Sequence, residues 1–472
     1  MATKDQKVGF VALTAIIIGS MIGGGAFNLP AEMSGHAGTL AVIVAWIITG
    51  VGMIFLALIY QNLTKRKPEL GGGIYSYAKE GFGHYLGFNS AWGYWLSAFI
   101  GNVAYAILLF NTIAFFFPIF GNGSNLYSII GCSIIVWGVH FIALKGVKSA
   151  TLINTITTIC RLIPLFLFIV IMVFCFNIKD ISFNFLGSGL GGFFSQVKST
   201  MMITVWCFIG IEGAVVLSGK AEKMKDVGRA TVIGLIFTLV VYVLISVLTI
   251  AAIPREVFIK MPNPSVAYAL QYVVGTWGAI VINIGLIISL FGALLGWTLL
   301  ASEVPFVAAM DGVLPKFFTK VNKNGAPYVS LWITNSAIEV FLIISLFSHS
   351  TYMIMFFVAS VTILPPYLFS SLYGLKIAIL RDSYKKNESI IKDLIITIVS
   401  SIYGIWLIYA AGLSLLLIST ILFAIGLIFY IYARIERKKK VFVKAEWILF
   451  WLILICAIYG VFMLLAGKIA LG

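Results

Sequence analysis

The stretch that decides the fold of this chain is Gly19-Ser20-Met21-Ile22-Gly23-Gly24-Gly25-Ala26-Phe27. It lies in the middle of the first long apolar segment, where three consecutive glycines weaken an α-helix. Hydrocarbon offers no water to freed peptide groups, so irregular backbone at that depth must be buried in protein or line a cavity. The half-helix after such a break points its N–H groups and its positive dipole end into the gap. The stretch therefore predicts a discontinuous membrane helix that holds a small carboxylate.

The composition is that of a membrane protein. Of the 472 residues, 61% are hydrophobic and 10% are charged, whereas soluble proteins carry about 25% charged residues. Apolar stretches recur at about 20 residues, enough helix to cross about 30 Å of hydrocarbon. We therefore predict an all-α polytopic protein embedded in the lipid bilayer. Its thirteen spans are placed at 8–31, 39–62, 88–117, 126–144, 149–176, 200–219, 230–252, 275–304, 326–347, 351–380, 390–411, 413–434 and 446–468.

The net charge of +15 follows membrane topology and does not indicate nucleic-acid binding. With a cytoplasmic N-terminus, 26 of the 32 Lys and Arg residues fall on the cytoplasmic side, which is the positive-inside pattern. The apolar block 390–434 divides only near Gly412, so the sequence allows twelve spans as well as thirteen. The basic residues outside that pattern are Lys179, Lys198, Arg255, Lys260 and Lys468 on the outer side, and Arg161 within the membrane.

The residues that usually carry catalysis or bind metals are scattered. Five cysteines and four histidines show no metal-ligand spacing, and the sequence contains no nucleophile–base pair or phosphate-binding loop. We therefore expect no enzyme activity, no metal site and no cofactor.

A second break is predicted in the sixth span, at Gly210-Ile211-Glu212-Gly213. The sixth span lies five crossings after the first, so the two run through the bilayer in opposite directions. Interrupted spans in corresponding positions of two halves indicate an inverted repeat with the site at its interface. The predicted organisation is a cytoplasmic N-terminus at 1–7, a first repeat at 8–176, a second repeat at 196–380 and C-terminal spans at 390–468.

Several motifs together resemble one transporter family. They are Gly-Ser-Met-Ile-Gly-Gly-Gly at 19–25, Pro-Glu-Leu-Gly-Gly-Gly-Ile-Tyr at 68–75, Ser-Ala-Trp-Gly-Tyr-Trp at 90–95, Phe-Ile-Gly-Ile-Glu-Gly at 208–213 and Gly-Trp-Thr-Leu-Leu at 296–300. Over residues 8–380 the chain resembles the basic amino-acid antiporter family of the amino acid/polyamine/organocation superfamily. The likeness is strongest to the bacterial arginine/ornithine antiporters, through residues 92–95, 100–103 and 221–228.

The resemblance implies a fold and an activity. The fold is a five-plus-five inverted repeat of the leucine-transporter type, with discontinuous spans 1 and 6 and two or three further C-terminal spans. The activity is exchange of an external basic amino acid for an internal catabolic product across a bacterial plasma membrane, with arginine for ornithine as the first choice. Alternatives are a precursor/amine exchanger (histidine/histamine, lysine/cadaverine or arginine/agmatine) and a proton-coupled permease. The oligomeric state stays open, with a homodimer among the alternatives.

The resemblance also implies a substrate site. The expected carboxylate ligands are Ser20, Met21, Gly23, Gly24 and Gly25, and the expected α-ammonium acceptors are the carbonyls of Trp206, Cys207 and Ile209. Trp297 would pack on the aliphatic and guanidinium part, where a cation over an aromatic face gains about 0.5–2 kcal/mol. Ala98 and Asn102 would line the distal end. Trp206 and Tyr94 would act as gates.

Some positions depart from the family pattern. The related arginine/agmatine antiporter has Asn where this chain has Ser20 and Ser where it has Gly24, so head-group contacts must differ. Many superfamily members carry a lysine where this chain has Arg161. A buried lysine can release its proton and arginine effectively cannot. We therefore expect Arg161 to be a fixed cation that braces the first break, which favours exchange without a coupled ion. Glu212 is predicted to gate, to tie span 6 to span 1, or to contact the substrate amine.

Overall fold

The structure is a computed structural model that describes residues 7–175, 185–347 and 351–469. Most of the predicted N-terminal segment 1–7, together with Lys179, lies outside these residues. Regular structure in the described ranges is helical, apart from one parallel bridge between Val8 and Ala221. The helices are α1 Phe10–Met21, α2 Gly25–His36, α3 Thr39–Arg66, α4 Ile74–Phe82, α5 His84–Ile113, α6 Leu126–Ala143, α7 Val147–Cys175, α8 Phe193–Phe208, α9 Gly213–Val216, α10 Met224–Ala252, α11 Arg255–Phe258, α12 Ser265–Val274, α13 Thr276–Met310, α14 Tyr328–Ser345, α15 Thr351–Thr362, α16 Leu364–Leu380, α17 Ile391–Glu436 and α18 Lys444–Leu465.

The described helices account for thirteen membrane crossings. Eleven helical segments are long and apolar enough to cross, counting α1 with α2 and α15 with α16 as one segment each. A twelfth crossing is the broken pair α8 and α9. The thirteenth comes from α17, whose 46 residues would extend about 69 Å as one straight helix, about twice a bilayer core. α17 is interrupted at Gly412 (φ 77°, ψ 161°), which confirms the predicted division there.

The packing of the helices repeats after five spans. α3 packs on α10, α5 on α13 and α6 on α14, which pairs spans 2 with 7, 3 with 8 and 4 with 9. α1, in span 1, packs on α7 of span 5 and α10 of span 7. Correspondingly, α8, in span 6, packs on α15 of span 10 and α3 of span 2. Such a correspondence is expected of two halves with the same fold and opposite orientation. It supports the proposed division of the chain into repeats at 8–176 and 196–380.

The centre of the bundle is formed by α5 and α13, which pack on each other. In the most apolar window of α5, 89% of the residues are buried, whereas in that of α18 only 11% are. Small residues such as Gly93, Ala98 and Gly101 allow neighbouring helices to approach α5 closely. α5 is therefore an internal helix, and α18 presents its apolar surface to the outside of the bundle.

Ion pairs tie the basic ends of several spans together. Arg66 at the end of α3 lies 2.8 Å from both Glu388 and Asp393, before and within α17. The hydrogen bond from Arg66 lowers the pKa of Glu388 below its ordinary value. Arg437 donates to the carbonyls of Ala309 and Leu314 at the end of α13. The basic segments thus meet at one end of the bundle, in line with a shared membrane side.

The break at Gly412 gives a direct test of the topology. An alanine there has no neighbouring atom within 4 Å to clash with, so only the backbone conformation opposes it. That conformation is essentially restricted to glycine and costs other residues about 1–3 kcal/mol. We expect Gly412→Ala to lower the melting temperature in detergent. Gly138→Ala, at an equally open position within α6, should leave it unchanged or raise it. Equal melting temperatures for the two variants would contradict the break.

Candidate substrate site

The first break lies between α1 and α2, at residues 22–24. The glycines allow side chains from other helices to approach the backbone closely. A Cβ atom on Gly23 would lie 2.6 Å from the Tyr105 hydroxyl, and one on Gly25 would lie 2.8 Å from Cδ1 of Trp206. Real Cβ atoms are not found at such separations, so side chains packed this closely leave room only for glycine at these two positions.

The carbonyl groups at the end of α1 are each bound by a side chain from another helix. Arg161 of α7 donates from one guanidinium nitrogen to the carbonyls of Gly19 (2.6 Å) and Ile22 (2.8 Å). The Trp297 indole of α13 donates to Ser20 at 3.1 Å. The Tyr242 hydroxyl of α10 donates to Met21 at 2.6 Å. These donors replace the helical N–H groups that the break removes.

The N–H groups on the other side of the first break are not bound in this way. Phe27 N–H donates to the Gly24 carbonyl. The N–H groups of Gly24, Gly25 and Ala26 find no acceptor in the described part of the chain. They form the first turn of α2, whose dipole is positive at this end. The gap therefore presents hydrogen-bond donors and positive potential, which suit a carboxylate.

The second break separates α8 from α9 at residues 209–212. Gly210 adopts φ +111°, a conformation that L side chains rarely take, and a Cβ there would lie 2.5 Å from the Ser20 hydroxyl. The carbonyls of Cys207 and Ile209 accept no hydrogen bond from the described residues, whereas the Trp206 carbonyl accepts one from Ile209 N–H at 3.3 Å. Two free carbonyls at the C-terminal end of a half-helix suit an ammonium group.

Polar contacts hold the second break in place. The Ser20 hydroxyl lies 3.0 Å from the Gly210 carbonyl and so joins the two breaks directly. Glu212 is fully buried, and its Oε2 accepts from the Tyr367 hydroxyl at 2.7 Å and from the Gly210 N–H at 3.2 Å. Glu212 therefore connects the second break to α16.

One face of α5 lies alongside both breaks. Tyr94, Ala98, Asn102 and Tyr105 follow one another at helical spacing and are buried. The Tyr94 ring lies 6.3 Å from the Trp297 ring, and the Tyr105 ring lies 5.4 Å from the Trp206 ring, measured between centroids. Asn102 donates to the Thr298 hydroxyl at 3.3 Å and keeps its Oδ1 without a partner in the described chain. This face can contact a side chain that extends from the breaks.

Comparison with known proteins identifies the family. The model for the family described as amino acid permease matches residues 8–454. The chain belongs to the amino acid permease family. The predicted amino acid/polyamine/organocation superfamily is thereby confirmed, together with the all-α multi-pass membrane fold.

Three relatives match the permease over nearly its whole length. It is 44% identical to an arginine/ornithine antiporter of Pseudomonas aeruginosa, over 99% of both chains. It is 40% identical to an arginine/agmatine antiporter of Chlamydia pneumoniae, again over 99% of both chains. It is also 40% identical to a putative arginine/ornithine antiporter of Escherichia coli, over 98% of the permease and 99% of that protein.

The geometry shows which of the predicted N–H groups are free in this conformation. The N–H of Met21 belongs to the last turn of α1, and that of Gly23 donates to the Met21 carbonyl at 2.8 Å, so neither is free in this conformation. Ala26, which sequence reasoning missed, joins Gly24 and Gly25 as a free donor. The tie between span 6 and span 1 is made by Ser20 and not by Glu212, whose described partners lie within span 6 and on α16.

The structure brings the other predicted residues together. Arg161 braces the first break. The other predicted residues that are buried around the two breaks are Tyr94, Ala98, Asn102, Trp206, Cys207, Ile209 and Trp297. Sequence reasoning missed Tyr105, Tyr242 and Tyr367. It also missed Phe356, whose ring lies 4.8 Å from the Trp206 ring, measured between centroids. Each of these is an aromatic residue inside an apolar run, and no local sequence signal distinguishes it from a residue that only packs.

The bond from Tyr242 to Met21 can be tested by removing one oxygen atom. We expect Tyr242→Phe to lower the free energy of unfolding by about 0.5–1.5 kcal/mol, the net value of one hydrogen bond. It should also slow transport, because the end of α1 loses a fixed donor. Denaturation in mixed micelles measures the first effect and uptake into proteoliposomes the second.

Tyr430→Phe is the matched control, because the buried Tyr430 hydroxyl has no partner among the described residues. Its removal should be neutral or stabilising. If the two variants behaved alike, Tyr242 would not be a cap of the first break.

Proposed function

We propose that this permease takes up arginine and releases ornithine by alternating access across a bacterial plasma membrane. The observation that carries the proposal is the uneven pairing of peptide groups at the two breaks. Carbonyls of α1 are bound by Arg161, Trp297 and Tyr242, while N–H groups of α2 and carbonyls of α8 stay free. The carboxylate of an amino acid fits the free N–H groups, and its α-ammonium fits the free carbonyls.

The α5 face and Trp297 are the proposed contacts for the rest of the substrate. Arginine and ornithine share the zwitterionic end and carry one distal positive charge each. Aromatic faces at Trp297 and Tyr94 attract such a charge without a buried carboxylate to hold it. Asn102 offers its free Oδ1 as an acceptor for the distal N–H groups. In this proposal Ala98 leaves room for the aliphatic chain, and Trp206 covers the site from the side of Gly25.

The chemistry of Arg161 supports exchange without a coupled ion. No carboxylate among the described residues lies within ion-pair distance of Arg161. Its donors bind the carbonyls of Gly19, Ile22 and Thr157 and the Thr157 hydroxyl. An arginine so placed keeps its proton. The first break therefore holds a permanent cation, which suits an exchanger driven by the two substrate gradients. The basic segments of the bundle would face the cytoplasm, together with the N-terminus.

Counterflow into proteoliposomes tests the substrate pair. Vesicles preloaded with unlabelled ornithine should accumulate labelled external arginine, whereas empty vesicles should not. Arginine and ornithine carry the same net charge, so a potassium diffusion potential set with valinomycin should leave the rate unchanged. Accumulation driven by a pH gradient in empty vesicles would overturn the proposal in favour of a proton-coupled permease.

Agmatine is a second candidate for the released product, because a relative 40% identical to this permease is named an arginine/agmatine antiporter. Agmatine carries one more positive charge than arginine, so that exchange moves net charge. Vesicles preloaded with agmatine should therefore show a rate that depends on the imposed potential. Faster exchange with agmatine than with ornithine would reverse our assignment.

Glu212 offers a prediction that separates gating from substrate binding. Its described bonds run to Tyr367 and Gly210. We expect Glu212→Gln to lower the turnover number about tenfold, since charge-assisted hydrogen bonds are about twice as strong as neutral ones. The dissociation constant for arginine should change by less than about threefold, because the proposed ligands are backbone groups.

Tyr367→Phe removes the donor and leaves the carboxylate, and turnover should fall in the same direction. Scintillation proximity binding measures affinity, and counterflow measures turnover. A loss of arginine affinity of tenfold or more in Glu212→Gln alone would place the carboxylate against the substrate.

A further inference from the structure

A basic cavity lies at the end of the bundle where α3, α10 and α17 meet. Its volume is about 590 Å³. Its walls combine apolar and polar side chains, and seven of the lining residues are charged. The cationic lining residues are Lys65, Arg66, Lys225, Arg229 and Lys392, and the acidic ones are Glu388 and Asp393.

Most of the positive charge in this cavity is not neutralised. Arg66 binds both acidic residues and is only slightly exposed. The other four cationic residues are exposed and have no carboxylate within ion-pair distance in the described chain. They are Lys65, Lys225, Arg229 and Lys392. The cavity therefore presents four free cations around a pair of acids already bound by Arg66. That arrangement suits an anion that carries several oxygen atoms.

A second feature lies on two of these helices, α3 and α10, deeper along the membrane span. An apolar groove of about 300 Å³ runs between α3 and α10 and is lined by Ile47, Gly50, Val51, Leu239 and Val243, among others. Ile47 and Val51 are 59% and 45% exposed. At Gly50 the missing side chain leaves Leu239 of α10 as the nearest neighbour of the backbone. The groove is an open, hydrophobic channel on the outer surface of the bundle.

The cavity and the groove are neighbours on α3. The groove ends at Ile54 and the cavity begins at Leu58, one helical turn further. A phospholipid has the same layout, with a phosphate at the membrane surface and an acyl chain below it. Basic pockets between membrane helices are suited to anionic head groups. We propose that an anionic phospholipid binds here, its phosphate in the cavity and one acyl chain in the groove.

The groove is what favours a lipid over a soluble phosphate. Inorganic phosphate would use only the four cations and would gain nothing from Ile47 and Val51. The bound lipid would lie against α3 and α10, which pack on α8 and α1 respectively. It would thus contact the two helices that support the broken spans. This site is independent of the substrate exchanged.

The test measures binding of fluorescent phosphatidylglycerol and phosphatidylcholine to the purified permease in detergent. We expect phosphatidylglycerol binding to weaken about tenfold or more in one variant that combines Lys65→Gln, Lys225→Gln, Arg229→Gln and Lys392→Gln. The reason is that each basic residue contributes to the attraction of anionic lipid. Phosphatidylcholine binding should not change. The control combines Lys323→Gln, Lys438→Gln, Lys439→Gln and Lys440→Gln, which removes the same charge elsewhere and should have little effect. An equal loss in both variants would overturn the site.

A second variant tests the acyl-chain groove. Val51→Trp should fill the groove and weaken phosphatidylglycerol binding several-fold, while Ile134→Trp, at an exposed position on α6, should not. Competition by inorganic phosphate shows whether the cavity binds a phospholipid head group or a soluble phosphate ion. Displacement of the lipid only at far higher phosphate concentration supports the proposal. Equal potency of phosphate and phosphatidylglycerol, with no effect of Val51→Trp, would show a soluble-anion site and refute it.

Discussion

The structure depends on how the peptide groups freed at the end of α1 are bound. A membrane interior supplies no water, so each peptide group left unpaired there costs about 1 kcal/mol or more. Four successive carbonyls, from Gly19 to Ile22, are bound by side chains of α7, α10 and α13. The break is therefore a built feature of the bundle. Three helices must stand in fixed positions around it to supply these donors.

The binding of these carbonyls also sets the polarity of the gap. The protein satisfies the acceptors of α1 and leaves the donors of α2 free, so the first break favours an anion. At the second break the carbonyls of Cys207 and Ile209 stay free, so that side favours a cation. The Ser20–Gly210 contact holds the two at a fixed separation. An amino acid's zwitterionic end matches this arrangement with no charged side chain needed to bind it.

The sequence predicted the features that depend on local backbone chemistry. Glycine runs reveal where a membrane helix breaks, an arginine in hydrocarbon must find acceptors, and spacing relates the first break to the second. The capping residues could not be predicted in the same way. Tyr242 lies in an uninterrupted apolar run, and its role depends on which span packs against α1. The free N–H groups also begin at Gly24 and not at Met21, because the Gly23 N–H is bound to the Met21 carbonyl.

The free peptide groups also give a physical reason for exchange. Three N–H groups and two carbonyls have no partner in the described chain, and an occupied site satisfies them with the substrate. An empty site that closes to water leaves them unpaired, at about 1 kcal/mol or more each. The sum of about 5 kcal/mol would slow the empty transition by about three to four orders of magnitude. Arg161 cannot relieve this cost, because it binds the opposite, carbonyl side of the break. A carrier built this way crosses readily only when loaded, and a carrier that must return loaded is an antiporter.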